Sequence, residues 1–356
     1  MTLRFAHEQR ARRVVFGAGR LAELPAEIDR LGARRVLLVT TPRGAGHARP
    51  LARSLEGRLA GRFDGAQVHV PVAVARAATE QARELGADLL LAFGGGSAIG
   101  VAKAVALETG LRIAAVPTTC SGSEMTGIWG VTEPGTKKTG RDPVVAPRLV
   151  VYDPLLTLDL PPRVSAASGM NAIAHAVEAL WASEPDPVAS LLSEAAIEAL
   201  GRALPLVVRT PGDAEARGEA LRGAYFAGWA LDLVRVGLQH RLAHLLGGRF
   251  ELPHAELHAV LLPHVVAWNQ EAAAAPLARV ARALGAGEQE AAQALDRLLR
   301  TLGLGGGLRG LGVPAEALEE VVRAVREHPP PNPRPIEAEG VRALLEAAWE
   351  GRPPRA

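Results

Sequence analysis

The chain has 356 residues, 48% of them hydrophobic, with a formal net charge of +2 and one cysteine. That length supports more than one core, and basic residues scattered among acidic ones argue against nucleic acid or an anionic membrane as the main partner. Cys120 alone cannot form an intramolecular disulfide, no apolar run reaches bilayer length, and Met1–Gly19 is Arg-rich without an apolar leader core. A cytoplasmic chain with no secretory signal is therefore expected.

In chain order, short β-branched runs predict strands at Arg13–Phe16, Arg35–Thr40, Gln67–Val70, Asp88–Phe93, Arg112–Val116 and Leu149–Tyr152. Amphipathic stretches between them predict helices near Leu21–Leu31, Ala48–Leu59, Ala75–Leu85 and Ala98–Thr109. Alternation at this spacing indicates an α/β domain with a mostly parallel sheet covered on both faces. After Pro161-Pro162 strand-like runs almost vanish and helical periodicity takes over. The expected organisation is an α/β dinucleotide-binding domain over 1–160 and an all-helical catalytic domain over 161–356. Pro329–Pro335 reads as a rigid connector before a last helix, Ala338–Trp349.

Leu89–Phe93 runs into Gly94-Gly95-Gly96-Ser97 and then into a helical stretch containing Gly100 and Lys103. Residues without Cβ let the backbone approach a diphosphate, and a helix N-terminus offers free N–H groups and partial positive charge. A tight strand-to-helix turn with no ligand would explain the triplet equally well. A second loop, Pro117-Thr118-Thr119-Cys120-Ser121-Gly122-Ser123-Glu124, tips the balance, because it would leave the carboxyl end of a neighbouring strand, where open parallel sheets bind ligands. Gly94, Gly95, Gly96, Ser97, Thr40, Thr118, Thr119 and Lys137 are the candidate cofactor-binding residues. Thr40-Thr41-Pro42-Arg43 carries no acid to hold a ribose 2′-hydroxyl, so either NADH or NADPH is expected.

His240, His244, His254, His258 and His264 fall close together, and Asn171 and His175 lie upstream at the same four-residue spacing as His240 and His244. On a helix such pairs share one face. A lone histidine on an apolar helix is ordinarily a hydrogen-bonded core residue. Two spaced pairs plus His254, which follows a Gly247-Gly248 break, instead indicate a functional cluster, because unpaired buried imidazoles are costly. His258 and His264 are read as structural, as are His7, His47, His69 and His328.

Gly-Gly-Gly-Ser, the Pro-Thr-Thr-x-x-Gly-Ser-Glu loop and Gly169-Met170-Asn171-Ala172-x-x-His175-Ala176-x-Glu178 resemble the iron-containing alcohol dehydrogenase superfamily, in matching order along nearly the whole chain. So do the His240/His244/His254 region and Leu262-Pro263-His264. Within it, residues 120–126, 168–180 and Asn332-Pro333-Arg334-Pro335 are most similar to the maleylacetate reductases. The resemblance implies the dehydroquinate synthase-like fold and a homodimer. It also implies reduction of the carbon–carbon double bond of maleylacetate to 3-oxoadipate during breakdown of aromatic compounds, with a small dicarboxylate as substrate.

Metal-dependent members bind their ion through an aspartate and three histidines, positions that are here Asn171, His175, His240 and His254. A neutral amide is a poorer ligand for a divalent ion than a carboxylate, although three histidines can still hold zinc. No metal is expected, and these positions read as vestigial. Gly100 stands where dehydrogenase relatives carry an aspartate. Without an ion, His175, His240, His244, His254 and Asn171 become the catalytic candidates that meet an enolate and return a proton. Arg241 and Ser121 are the candidate contacts to substrate carboxylates. Open alternatives are an Fe- or Zn-dependent alcohol or polyol dehydrogenase, a cyclising lyase on the dehydroquinate synthase scaffold, and a non-catalytic nucleotide binder.

Overall fold

The computed structural model describes residues 5, 7–8, 11–133, 136–250 and 252–355, with Thr136 and Lys137 described through their backbone alone. Packing divides the chain into two compact units: one spans Gln9–Leu160, and the other holds Pro161–Ala356 together with the N-terminal residues around His7.

The first unit contains β1 (Arg13–Phe16), α1 (Leu24–Arg30), β2 (Val36–Val39), α2 (Arg49–Ser54), β3 (Leu59–Phe63), α3 (Val72–Glu84), β4 (Leu89–Gly94), α4 (Gly96–Thr109), β5 (Arg112–Pro117), β6 (Ile128–Glu133), β7 (Thr136–Arg141) and β8 (Leu149–Tyr152). Six of these strands form a sheet in the order β1-β8-β5-β4-β2-β3, and every pairing in it is parallel. The nearly unbroken apolar runs of β2 and β4 follow from burial on both faces. Successive side chains alternate between faces, so Leu37, Val39, Leu90, Ala92 and Ile113 join one core with residues of α3 and α4. Val36, Leu38, Leu89, Leu91, Phe93 and Ala114 join the other, with residues of α1 and α2. Each fully buried Leu or Val contributes roughly 1.5–3 kcal/mol against exposure, so a charge in β4 would cost the sheet its centre.

Two expectations for this unit fail. The helix expected over Ala48–Leu59 ends at Ser54, and Leu59–Phe63 is the edge strand β3, paired to β2. Gly61 and Arg62 conceal its strand character, and an edge strand exposed on one side need not be continuously apolar. The strand expected at Gln67–Val70 is a loop in which His69 and Val70 hold positive φ of 61° and 51°. That loop is tied to β6, where Thr132 donates its amide to the Val70 carbonyl and its hydroxyl to the His69 carbonyl. The antiparallel hairpin β6–β7 has no counterpart among the expected elements, because β6 is half-buried, Lys138, Thr139 and Arg141 of β7 are exposed, and neither strand shows apolar alternation.

The second unit contains α5 (Pro162–Leu180), α6 (Pro187–Arg209), α7 (Ala214–Asp232), α8 (Leu238–Phe250), α9 (His254–Trp268), α10 (Ala274–Ala283), α11 (Ala291–Thr301), α12 (Gly307–Gly310), α13 (Ala317–Glu327) and α14 (Ala338–Glu350). α5 is buried on every side from Ser165 to Leu180, and its small residues let α6, α7 and α9 close around it. Asp186 and Asp213 cap α6 and α7 through two backbone amides each, and His7 bonds the second oxygen of Asp186 at 2.8 Å. Gly247 and Gly248 do not interrupt the chain as expected: α8 continues to Phe250, and the break falls before Pro253. Proline disfavours helix in the residue before it, whereas buried packing of α8 on α9 overrides glycine's weak propensity. Among the described residues no helix is long and apolar enough to cross a membrane.

Candidate active site

β4 and β5 are neighbours, and their carboxyl ends carry the two small-residue loops side by side. Gly94 has a φ of 142°, which strains any residue with a Cβ. Its carbonyl accepts the Thr118 amide at 3.1 Å. A Cβ on Gly95 would stand 2.8 Å from Thr119 Cγ2, and one on Gly96 would stand 3.8 Å from Ser121 Cβ. The two loops thus close on each other, with room for backbone alone at Gly95 and an ordinary contact at Gly96. Gly95 caps α4 without any side-chain bond, so the first-turn amides of this helix remain for a ligand. That fits a dinucleotide diphosphate.

Thr40 directly follows β2, the other neighbour of β4, and is buried, while the Thr41 hydroxyl accepts the Gly44 amide at 3.0 Å. Lys137 lies on β7, but its side chain falls outside the described residues. Gly100 has a packing reason to lack a side chain, because a Cβ there would come within 2.7 Å of Val70 Cγ2. An aspartate at that position would have to push the Val70 side chain aside.

Two residues that sequence reasoning left out hold this edge together. Lys103, buried on α4, donates to the Ser123 carbonyl at 2.7 Å, Thr126 Oγ1 at 3.0 Å and the Ile128 carbonyl at 2.7 Å. Glu124 is fully buried and accepts hydrogen bonds from Tyr152 Oη at 2.7 Å and Ser121 Oγ at 3.2 Å. Burial pushes its carboxyl up, against the opposing pull of its own backbone amide, Tyr152, Ser121 and the Lys103 charge.

In the helical unit α5 supplies Asn171 and His175, α8 supplies His240 and His244, and α9 supplies His254 and His258. Their five imidazoles form one cluster, with ring centroids of contacting pairs 4.5–6.0 Å apart. His258, expected to be structural, contacts His175, His240 and His254. The signal that could have found it is its spacing of four from His254, the same spacing that links the other pairs. Burial first, then the four surrounding imidazoles, hold its pKa well below the ordinary histidine range, so it stays neutral. His264 is buried away from these rings, near Asp296, Arg300 and Arg352.

Asn171 Nδ2 donates to His175 Nε2 at 3.0 Å, and His175 Nδ1 meets His240 Nε2 at 2.9 Å. His240 Nδ1 in turn meets the Glu178 carboxylate. Arg241 donates to the Ala324 carbonyl on α13 at 3.3 Å.

A divalent ion does not fit this arrangement. Both nitrogens of His175 and both of His240 are engaged in hydrogen bonds, and Asn171 offers an N–H where a carboxylate ligand would be needed. Among the described residues no group of three or more His, Cys, Asp or Glu is arranged to hold a metal.

A glycine-lined sheet edge in the first unit and a histidine-rich helical second unit suit an oxidoreductase, and the chain belongs to the iron-containing alcohol dehydrogenase family. The iron-containing alcohol dehydrogenase pattern matches residues 11–154, and the C-terminal pattern of the Fe-containing alcohol dehydrogenase family matches residues 165–349. Within the family the chain is similar to maleylacetate reductase from Burkholderia cepacia, at 48% identity over 98% of each chain. The crystal structure of maleylacetate reductase from Agrobacterium tumefaciens superposes with a TM-score of 0.94 at 43% identity, covering 99% of this chain and 100% of that one. A putative alcohol dehydrogenase from Ralstonia eutropha JMP134 superposes at 0.97 with 48% identity, over 99% of this chain and 100% of that one.

Proposed function

We propose that this protein is a cytoplasmic, homodimeric reductase that uses NADH or NADPH to convert maleylacetate to 3-oxoadipate in the breakdown of aromatic compounds. Asn171 carries the reading. A neutral amide bonded to His175 replaces the acidic position of the metal-dependent relatives, and it suits a substrate that brings two carboxylates of its own. An anion there, unmatched by an ion, would repel that substrate.

Gly94, Gly95, Gly96, Ser97, Thr118 and Thr119 would hold the cofactor's diphosphate through backbone amides and hydroxyls. No acid stands in residues 40–44 to repel a 2′-phosphate, and Arg43 is exposed there to receive one, so both cofactors are accepted. The bound nicotinamide supplies a hydride to the alkene carbon β to the ketone.

The chain's own part is to stabilise the enolate that results and to protonate its α carbon. Asn171, His175 and His240 present fixed dipoles in a buried setting, where each is worth more than in water, and the half-buried His244 and His254 stand beside them. The returning proton comes from this cluster. Arg241 and Ser121 meet the substrate's carboxylates.

The test is NADH and NADPH oxidation by chelator-treated protein, offered freshly generated maleylacetate and a panel of aldehydes and ketones. Turnover of maleylacetate alone, with 3-oxoadipate as product, is expected. Activity on simple carbonyls that returns only with added zinc or iron would overturn the reading in favour of an alcohol dehydrogenase.

A further inference from the structure

Glu178 lies on α5 one turn beyond His175 and is only 1% exposed, and the donors that meet its carboxylate are two backbone amides and an imidazole. It accepts the Gln239 amide at 2.9 Å and the Gly237 amide at 3.2 Å, and it also holds His240 Nδ1. An ionised carboxylate is acceptor-only, so three donors converge on it and the His240 proton must sit on Nδ1. His240 Nε2 is then an acceptor, which requires His175 to donate from Nδ1. His175 Nε2 becomes an acceptor in turn, matching the N–H that Asn171 presents. One tautomer assignment satisfies every link, and only the carboxylate end fixes its direction.

We infer that Glu178 is a positioning residue for the reaction: it locks His240 as the Nδ1–H tautomer and so sets the direction of the whole hydrogen-bond chain through His175 to Asn171. The inference rests on the reductase reading above. Were the chain to run the other way, Asn171 would turn its carbonyl to His175. The Asn171 amide hydrogens, which now meet His175 and which the reductase reading assigns to the enolate, would be turned aside. A purely structural Glu178 would merely clamp the start of α8 through the Gly237 and Gln239 amides, with no bearing on tautomers.

Nitrogen NMR of full-length protein labelled with 15N-histidine, bound to NADH, separates these roles. His175→Gln and His240→Gln supply the assignments. His175 and His240 are expected as Nδ1–H tautomers in the unmodified protein; finding His240 protonated on Nε2 alone overturns the inference, whatever the variants do. In Glu178→Gln the single His240 signature is expected to be lost. Maleylacetate kcat should fall about 100-fold, in the range seen when groups that orient catalytic histidines are removed, with KM for NADH within twofold. Glu178→Asp, which keeps the acceptor, should recover part of kcat and the Nδ1–H signature. A Glu178→Gln protein that keeps both the signature and kcat would reduce Glu178 to a clamp. Should the unmodified protein fail to reduce maleylacetate, the functional reading falls, while the spectra still decide the tautomer.

Discussion

Lys103 Nζ lies 2.7 Å from the Ser123 carbonyl, which ties the helix behind the glycine loop to the loop that faces it. The ammonium is buried, and two carbonyls and the Thr126 hydroxyl take its three donors. Lys103→Met keeps the packing of the stem but removes three charge-assisted bonds, while the Ser123 carbonyl keeps the Thr126 amide and the Thr126 hydroxyl keeps the Ile128 amide. The net loss is on the order of 2 kcal/mol, since a hydrogen bond to a charged group is worth about 1.5–3 kcal/mol and the remaining bonds offset part of it. The expected result is a Tm lower by several degrees, with KM for NADH raised about tenfold and kcat at saturating cofactor nearly kept. A variant that loses stability but keeps its KM would show that Lys103 does not shape the cofactor edge.

The close approach of Gly95 to Thr119 makes a sharper probe of the same edge. Alanine in its place puts a methyl 2.8 Å from Thr119 Cγ2 and 2.9 Å from its hydroxyl, and neither atom ends a long flexible chain. One loop must move, and the amides of α4 move with it. Gly95→Ala should therefore weaken NADH binding at least tenfold by fluorescence titration, with little change in helicity by circular dichroism. Adding Thr119→Ser, which removes the methyl, should restore part of the affinity. Unchanged binding in Gly95→Ala would place the diphosphate elsewhere.

Much of this edge is legible in the sequence, and the reason is physical. Leu149–Tyr152 is a strand over the expected bounds, and β2, β4 and β5 differ from theirs by no more than a residue at an end, because strands buried on both faces must be apolar throughout. Arg13–Phe16 is an edge strand with an exposed first residue, and its Val14-Val15-Phe16 run marks it through strand propensity instead. β3 and the β6–β7 hairpin stay hidden because exposed or half-buried strands obey no such rule. The histidine cluster is legible through i, i+4 spacing. What spacing does not convey is long-range: that His258 on α9 reaches His175 on α5, or that Glu178 reaches across 62 positions to His240. Lys103 and Glu124 look like ordinary charges, since nothing local to a sequence distinguishes a buried one from a solvated one.

His264 gives the protein a stability term with a defined pH window. Burial, reinforced by Arg300 and Arg352 and opposed by Asp296, lowers its pKa from 6.5 to about 4. Above pH 6.5 the imidazole is neutral both folded and unfolded, and it contributes no pH dependence. Between about pH 6.5 and 4 the unfolded chain takes up a proton that the folded one refuses, so stability falls as pH falls through that window. The full loss is about 3 kcal/mol, from 1.36 kcal/mol for each tenfold change in proton affinity. Urea melts at pH 7.5 and pH 4.5 should show a smaller difference for His264→Gln than for the unmodified protein. An equal difference in the two would assign the acid sensitivity to other groups.

Asn171→Asp tests the electrostatic logic of the site from the opposite side. Position 171 is 5% exposed, and the new carboxylate would face His175 Nε2, which is an acceptor in the present chain. Two acceptors then oppose each other in a buried setting, a situation that costs about 3–5 kcal/mol when the charge stays uncompensated. Relief is available in two ways: reversal of the hydrogen-bond chain, so that His175 carries its proton on Nε2, or capture of a divalent cation by the introduced carboxylate and the nearby imidazoles. The expected outcome is a Tm below that of the unmodified protein in chelator, recovering with added Zn²⁺ as binding to the folded state alone demands. Maleylacetate turnover should fall at least tenfold in chelator, because the new charge repels the substrate's carboxylates. Zinc binding gained with turnover untouched would mean that neutrality at position 171 is not what the reaction requires.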